Sequence, residues 1–594
     1  MIRFALILIV AFCAIFVSCT TSEQPQQADA SAQPVGVHPT ISWITACRTG
    51  TSGFGWFPGD SAHTSTTGMA LEALGVLDAL GELPARQDLV SWLKARQQPD
   101  GGFIEKDGYF GKGKALPWGT QSSLEATFWG VQALNLLDSS PSDPDAAAKF
   151  IAARQRDSGA FDASEYAGST VESATYTTYW AVGALKTLGL PVPDSAKLVS
   201  WLREQQETKA MRGGLSLSPD GFLFSSTQGT GYAVAALNLL GASPTRPAEV
   251  KKFLFSTRGQ EADGGFELGH GDDWNNYDHY SRTADTWHAV RALKLLGMPL
   301  SDNDSSRAAL PASDCAAWLA SVQNSDGSFA RFAASDQTPV LPPGEMQASW
   351  QAVRTLEFLG KPVPRPENPV PPSVEIVIPR MQYRHPALNF DDPVEIWAYR
   401  RIAEPVYREA LERTGSKVEA IGAVSSWARN AIGPENHSHD RKVEGRGKLA
   451  HGWGQCGSMS WLVQALAASI DYPARGAYVF ADANVEVRIQ EDGWDKAHWV
   501  CFIPFTNEWV DHRLETRDGT CNGWSALDIA INWHTNRRDY IYPSLTKLGD
   551  HRYWRVWIEL VDSETGNWGP DTGIDTSMTY SSQGALKAYP GGSW

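Results

Sequence analysis

The chain has 594 residues, too many for one ordinary domain, so two or three are expected. Its 42% hydrophobic content, 20% charged content and 24 tryptophans exclude an intrinsically disordered protein. A formal net charge of −16 excludes a nucleic-acid-binding surface, which needs a concentrated basic patch, and predicts a soluble acidic exterior.

The N-terminus begins with a short positive start, Met1-Ile2-Arg3. A continuous apolar run from Phe4 to Val17 follows, too short to span a bilayer as a mature helix. It ends in Phe16-Val17-Ser18-Cys19, which resembles a bacterial lipoprotein signal, with Phe16 where that family usually carries leucine. The resemblance implies a signal peptide over residues 1–18 and lipidation of Cys19 as the mature N-terminus; the alternative is an ordinary secretory signal. The implied location is the bacterial cell envelope, at the outer membrane or the periplasmic face of the inner membrane, and otherwise secretion. Residues 19–40, rich in Ser, Thr, Gln, Ala and Pro, read as a flexible tether. Removing Cys13 and acylating Cys19 leaves Cys47, Cys315, Cys456, Cys501 and Cys521. They are far apart and odd in number, so no disulfide framework is expected, and Cys-x-x-Cys metal spacing is absent.

Residues 41–364 repeat internally. The unit is an apolar helix ending in Arg or Gln, a Gly-Gly-Phe-like turn, a variable loop, and a second apolar helix ending near Leu-Gly. Trp92-Leu93 to Gly101-Gly102-Phe103 matches Trp318-Leu319 to Gly327-Ser328-Phe329, with further turns at Gly53-Phe54, Ala160-Phe161, Gly214-Leu215 and Gly265-Phe266. Second helices end at Gly75, Leu136, Gly189, Gly241, Gly297 and Gly360. The glycine pair permits a tight turn, the aromatic plugs the interface to the next unit, and the terminal Gly is a C-cap. One pair cannot bury both apolar faces, so six pairs stack and close into a two-layer ring.

These repeats resemble the prenyltransferase and squalene–hopene cyclase family, which implies an all-α (α/α)6 toroid. The family's chemistry does not carry over. Protein prenyltransferases hold zinc with an Asp-x-Cys pair and a His; this chain has no Asp-x-Cys, and Asp285 falls near the place of the His. Triterpene cyclases use Asp-x-Asp-Asp, and the nearest approach is His270-Gly271-Asp272-Asp273. A loop from Asp272 to Arg282 (Asp272, Asp273, Asn275, Asn276, Asp278, His279, Tyr280, Arg282) reads either as a ligand, calcium or polysaccharide site or as a solvated loop of turn formers. The aromatics Phe128, Trp129, Tyr179, Trp180, Trp287 and Trp350 read as ring core.

Residues 365–376 continue a proline-dense run from Lys361 and read as a stiff linker, the domain boundary. Beyond it, helices are expected over Pro393 to Arg413 and Val418 to Ile432, with a third starting at Cys456. Strands of an antiparallel sheet are expected at Ala477–Phe480, Val485–Ile489, His498–Phe505 and Trp509–Asp511. Cys456 stands between small residues at a helix start, where the helix dipole favours a thiolate. Cys456, His498 and Asp511 follow in an order that can supply nucleophile, base and orienting carboxylate.

From about Glu419 to Arg513 the chain resembles the transglutaminase-like superfamily: a Cys opening a helix, a Pro-Ala-Arg turn after it (Pro473-Ala474-Arg475), a His-aromatic strand, and an Asp after a Trp. Cys501 stands where many members carry an acidic residue. The resemblance implies an α+β, papain-like cysteine domain over residues 377–594 with an aromatic-rich C-terminal extension. It implies Cys456 as nucleophile, His498 as base and later acid, and Asp511 as orienting carboxylate. The Cys456 backbone N–H is a natural oxyanion donor, with Trp453 or Gln455 as a guessed support. Three functions stay open: an envelope-anchored cysteine acyl-transfer enzyme acting on proteins or peptides, a non-catalytic binding lipoprotein, and a polysaccharide lyase or hydrolase seated in the toroid. No cofactor, no metal and no nucleic-acid partner is expected; the membrane is met through the N-terminal lipid.

Overall fold

The computed structural model describes residues 37–105, 121–162, 173–206, 213–216, 225–256, 263–267, 281–299, 312–334, 340–373, 375–381, 388, 390, 392–431 and 456–472. It also describes the backbone of short strands between 433 and 588. The described chain from His38 onward forms one compact unit.

Twelve helices among the described residues alternate between two layers. Ten of the 13 residues of α6 (Thr175–Thr187) are buried, against three of the ten in α7 (Ser195–Glu204), which assigns α6 to the inner layer and α7 to the outer. The inner layer is α2 (Thr64–Val76), α4 (Leu124–Leu136), α6, α8 (Thr227–Leu239), α10 (Thr283–Leu295) and α12 (Met346–Leu359). Each packs on the next, and α12 packs back on α2, so the ring is closed. The outer layer is α1 (Pro39–Ala46), α3 (Arg86–Lys94), α5 (Pro144–Ala152), α7, α9 (Pro247–Ser256) and α11 (Ala312–Ser321). Six expected pairs are thus six observed pairs.

Local chemistry starts and stops these helices. Asp143 caps α5 by accepting from the Ala146 N–H at 2.8 Å, and Pro144 follows at the position where a missing N–H costs nothing. Ser123 and Ser226 cap α4 and α8 in the same way. The expected terminal Gly holds at Gly189, Gly241, Gly297 and Gly360, all at positive φ. It fails in the first pair: Gly75 lies inside α2, and Asp78 takes the left-handed position (φ 55°), as Asp138 does after α4 (φ 54°). Asp tolerates that conformation better than most residues.

Two repeated brackets lock each turn to the ring. After the turn, the backbone N–H of Phe54, Phe103, Phe161, Leu215, Phe266 and Phe329 donates to the hydroxyl of Thr67, Thr127, Thr178, Thr230, Thr286 and Ser349 respectively, at 2.9–3.2 Å. Each hydroxyl sits one turn into its inner helix and meets a buried donor that would otherwise be orphaned. The second bracket is a glutamine just beyond outer helices α3, α5 and α7; after α1 its place is taken by Arg48, which donates to the carbonyls of Pro84 and Ala85. Gln97 donates to the carbonyls of Gly101 and Asp143, Gln155 to those of Gly159 and Pro193, and Gln206 to those of Gly213 and Arg246.

The last repeat applies this bracket to the first. Gln323 donates to Thr40 Oγ1 (3.2 Å) and to the Pro364 carbonyl (2.9 Å), while Thr40 Oγ1 donates to the Gly327 carbonyl (2.8 Å). The proline run leaves from this seam; Val370 N–H donates to the Ser325 carbonyl at 2.9 Å.

Beyond the linker, α13 (Pro393–Thr414), α14 (Lys417–Ala431) and α15 (Cys456–Ser469) pack together around Tyr399, Ile402, Val424, Trp427, Leu462 and Leu466. Asp392 caps α13, and Gly415 ends it at φ 67°. This helical layer rests on the end of the ring where the inner helices begin. Arg401 of α13 lies over the Phe57 ring at 4.6 Å and donates to the Gly344 carbonyl at 2.6 Å. Trp427 of α14 meets Phe332 at 6.2 Å.

Besides the short pairs β1 (Phe103–Ile104) with β2 (Ser122–Ser123) and β3 (Gly433–Pro434) with β4 (Trp453–Gly454), the described residues form one seven-stranded antiparallel sheet. Its strands are β5 (Arg475–Ala481), β6 (Ala497–Pro504), β7 (Trp524–Leu527), β8 (Ile541–Tyr542), β9 (Trp554–Ile558), β10 (Ser577–Tyr580) and β11 (Leu586–Ala588), in spatial order β11-β10-β9-β5-β6-β7-β8. The expected helices at 393 and 418 and the strands at 477 and 498 occur within a few residues of their expected bounds. The strands expected at 485–489 and 509–511 lie outside the described residues.

Candidate functional site

Two regions hold the candidate residues. In the first, Cys456 is the opening residue of α15, which follows directly on β4 and Gln455. The fourteen-residue helix aims its positive end at the Cys456 backbone. It packs on both β5 and β6. His498 is the second residue of β6, in register opposite Val479 of β5, and Cys501 lies further along β6 opposite Gly476. Trp453 pairs with Gly433 on β4. The backbone therefore lays the helix that begins with Cys456 against the strand that bears His498. Asp511, Gln455, Cys19 and Cys521 lie outside the described residues. Cys47 and Cys315 are buried in the toroid.

The second region is the centre of the ring, a cavity of about 250 Å³. Each inner helix contributes at matching depths. The fifth and sixth positions supply the aromatics Trp129, Tyr179, Trp180, Tyr232, Trp287 and Trp350, and the ninth supplies Glu72, Arg291 and Arg354. The ring aromatics expected to be core therefore include cavity walls, with Phe128 packed in the core behind them. Asn238, Leu239, Leu295 and Phe358 line it at the C-terminal ends of their helices, where Leu239 is 36% exposed. A smaller void at the opposite end is lined by Gln228, Arg282, Arg331 and Gln351, with Ala431 of α14 among its walls.

Charge inside the cavity is arranged unevenly. Glu72 accepts from Trp350 Nε1 at 2.8 Å and faces Arg354 Nε at 3.8 Å. Burial raises its carboxyl above the usual range, and Arg354 and Trp350 oppose that rise. Arg354 also pairs with Glu357. Burial and the neighbouring Arg291 hold His288 well below the ordinary histidine value, so it is neutral. Arg291 itself lies against Tyr179, Trp287 and Tyr232, at 4.7, 5.1 and 5.6 Å from the ring centres.

Asp285, near the place where the family resemblance puts a zinc-binding His, is fully buried and accepts from Gln228 Nε2 at 3.0 Å. Burial pushes its carboxyl up to about 6. With no Asp-x-Cys pair in the sequence, the residues here do not fit a zinc site. Among the described residues no cluster of three or more His, Cys, Asp and Glu has metal-holding geometry. Of the Asp272 to Arg282 loop, only Ser281 and Arg282 are described. Arg282 lies at the N-terminal end of α10, away from the rim formed by Asn238 and Leu239.

Glu72, Arg291 and Arg354 were missed in the sequence because charges on a helix read as its solvated face. Their signal is positional: aligning the six inner helices on their Thr or Ser hydroxyls puts all three at one depth.

The architecture is an (α/α)6 toroid carrying a second, mixed α and β region. The chain matches the prenyltransferase alpha-alpha toroid domain over residues 11–222 and 224–361, and it belongs to that family. Among solved structures, Candida albicans protein geranylgeranyltransferase-I complexed with GGPP is 14% identical with a TM-score of 0.35, covering 50% of this chain and 83% of its own. The apo type II terpene cyclase MstE from Scytonema is 14% identical with a TM-score of 0.35, covering 54% and 95%. A protein from Actinoplanes is 16% identical with a TM-score of 0.33, covering 50% and 90%. No curated protein matches the chain.

Proposed function

We propose that the chain is an envelope-anchored cysteine acyl-transfer enzyme of transglutaminase-like type, with the toroid as its binding module. The observation that carries this reading is the placement of Cys456 at the first position of a helix packed on the strand that holds His498. In this reading a Cys456 thiolate attacks the carbonyl carbon of a carboxamide or peptide. The backbone N–H at the helix start stabilises the oxyanion, His498 protonates the leaving amine, and a thioester forms. Water or an amine then takes the acyl group, giving hydrolysis, deamidation or transamidation. Asp511 orients His498, and Trp453 or Gln455 supports the oxyanion. The domain limits belong to the same proposal: signal 1–18, tether 19–40, toroid 41–364, linker 365–376 and acyl-transfer domain 377–594, with Cys19 lipidated and a protein or peptide as substrate.

Cys456→Ala is expected to abolish turnover of a peptide and glutamine-amide library while the circular dichroism spectrum stays unchanged. Retained turnover sinks the proposal. A second reading, a non-catalytic binding lipoprotein, is favoured by the aromatic cavity of the ring. It requires Cys456 to react with iodoacetamide no faster than an ordinary thiol near neutral pH.

A further inference from the structure

Arg291 is the strongly basic group of the cavity with no carboxylate in direct contact among the described residues: Glu72, on the same wall, acts on it only at longer range and is bound to Trp350 and Arg354. It is 5% exposed and its Nε has no hydrogen-bond acceptor; its Nη2 donates to the Gly231 carbonyl at 3.2 Å and meets His288 Nδ1 at 3.3 Å, and the Tyr179 hydroxyl is hydrogen-bonded to the guanidinium, so each of these partners is neutral. Among the described residues no Asp or Glu lies within ion-pair distance, whereas Arg354 is shared between Glu72 and Glu357. Burying a guanidinium without a counter-ion costs several kcal/mol in general, and folds supply a partner when they tolerate one. Gly231 shows that the position is built: a side chain there would overlap His288. The bare backbone lets His288 and Arg291 close in on α8. His288, neutral beside it, adds no competing charge.

The surroundings define the rest of the ligand. Tyr179, Tyr232 and Trp287 surround the guanidinium, and Trp129 and Trp350 continue the wall, edge to face at 5.2 Å. A flat body stacks well on such faces. A volume of about 250 Å³ falls at or below the lower end of ligand pockets, which excludes a long chain. A carboxylate matches the planar fork of Arg through two parallel hydrogen bonds, which a spherical or tetrahedral anion uses less well.

We propose that the toroid cavity binds a small planar carboxylate, with its carboxylate on Arg291 and its ring among Tyr179, Tyr232 and Trp287. This site is independent of the reading of Cys456.

The test is titration of the full chain with benzoate, benzamide and inorganic phosphate, followed by calorimetry and tryptophan fluorescence. Benzoate is expected to bind, and benzamide and phosphate at least about tenfold more weakly, since a charge-assisted bond contributes roughly 1.5–3 kcal/mol. Arg291→Gln is expected to weaken benzoate by about 10- to 100-fold and to leave the weak benzamide binding unmoved. Asn238→Trp, at the exposed rim, blocks entry without touching the charge and serves if Arg291→Gln does not fold. Cys456→Ala is expected to bind benzoate like the parent, so failure of the acyl-transfer proposal leaves this one standing. The inference is overturned by any of four results: no benzoate binding up to roughly 10 mM, benzamide or phosphate binding as tightly as benzoate, unchanged binding in Arg291→Gln, or unchanged binding in Asn238→Trp.

Discussion

Asp285→Asn tests how the ring tolerates an acid in its interior. The Asp285 carboxyl is fully buried, with Oδ1 accepting from Gln228 and Oδ2 meeting no donor among the described residues. Burial raises it from 3.8 to about 6, and Arg282 and Gln228 hold it from going higher. A rise of roughly two units is worth about 3 kcal/mol, at about 1.4 kcal/mol per unit. Because the folded value lies above the unfolded one, the native state binds more protons between 3.8 and about 6. Stability is therefore full below 3.8 and falls as pH rises through that window. Asn keeps the acceptor for Gln228 and cannot ionise, but it leaves an amide donor unmet, which costs about 1–3 kcal/mol. The variant is expected to gain up to about 2 kcal/mol on the parent above the window and to lose that advantage below it. Urea unfolding of the full chain at several pH values, followed by tryptophan fluorescence, measures the difference. A variant-minus-parent difference that does not change with pH refutes the reasoning, as does a parent that gains stability through the window.

Two further substitutions test the brackets. Thr127→Val keeps the shape and removes the hydroxyl that Phe103 N–H bonds at 3.0 Å, so a loss of about 1–3 kcal/mol in the same urea assay is expected, with Thr127→Ser near neutral. Gly101→Ala is expected to cost more than about 3 kcal/mol or to prevent folding. The residue sits at φ 91° and a Cβ there would overlap the Ala146 carbonyl. Normal thermal stability of that variant defeats the packing account.

The ring was legible because its period is written twice, in the Gly-Gly-Phe-like turns and in the apolar helix ends. What the period did not reveal is what each bracket bonds. The threonines at 67, 127, 178, 230 and 286 look like ordinary helix residues until the turn N–H groups are seen against them. The Asp78 and Asp138 turns escaped because they use tolerance where the other repeats use glycine. The cavity escaped for a different reason. An inner helix is buried on both sides, so its apolar residues do not mark which face meets the hole, and Arg291 resembles any surface arginine. In the C-terminal region the opposite holds: Cys456 at a helix start was legible from the small residues before it and the apolar run after it, and His498 from the alternation of its strand.

The seam between Thr40 and Gly327 joins groups 287 residues apart in sequence. A ribosome adding about 5–20 residues per second needs on the order of 15 s to a minute to cover that distance. Throughout it, α1 has an apolar flank and no neighbour to cover it, while each later pair finds a partner as soon as it emerges. The ring therefore matures as an open arc whose first and last members wait for each other, and the slowest contact to form is the one that makes every other repeat internal. A lesion in α11 or in Gln323 would thus be felt first at the opposite end of the repeat region, as a newborn arc with its leading edge still bare.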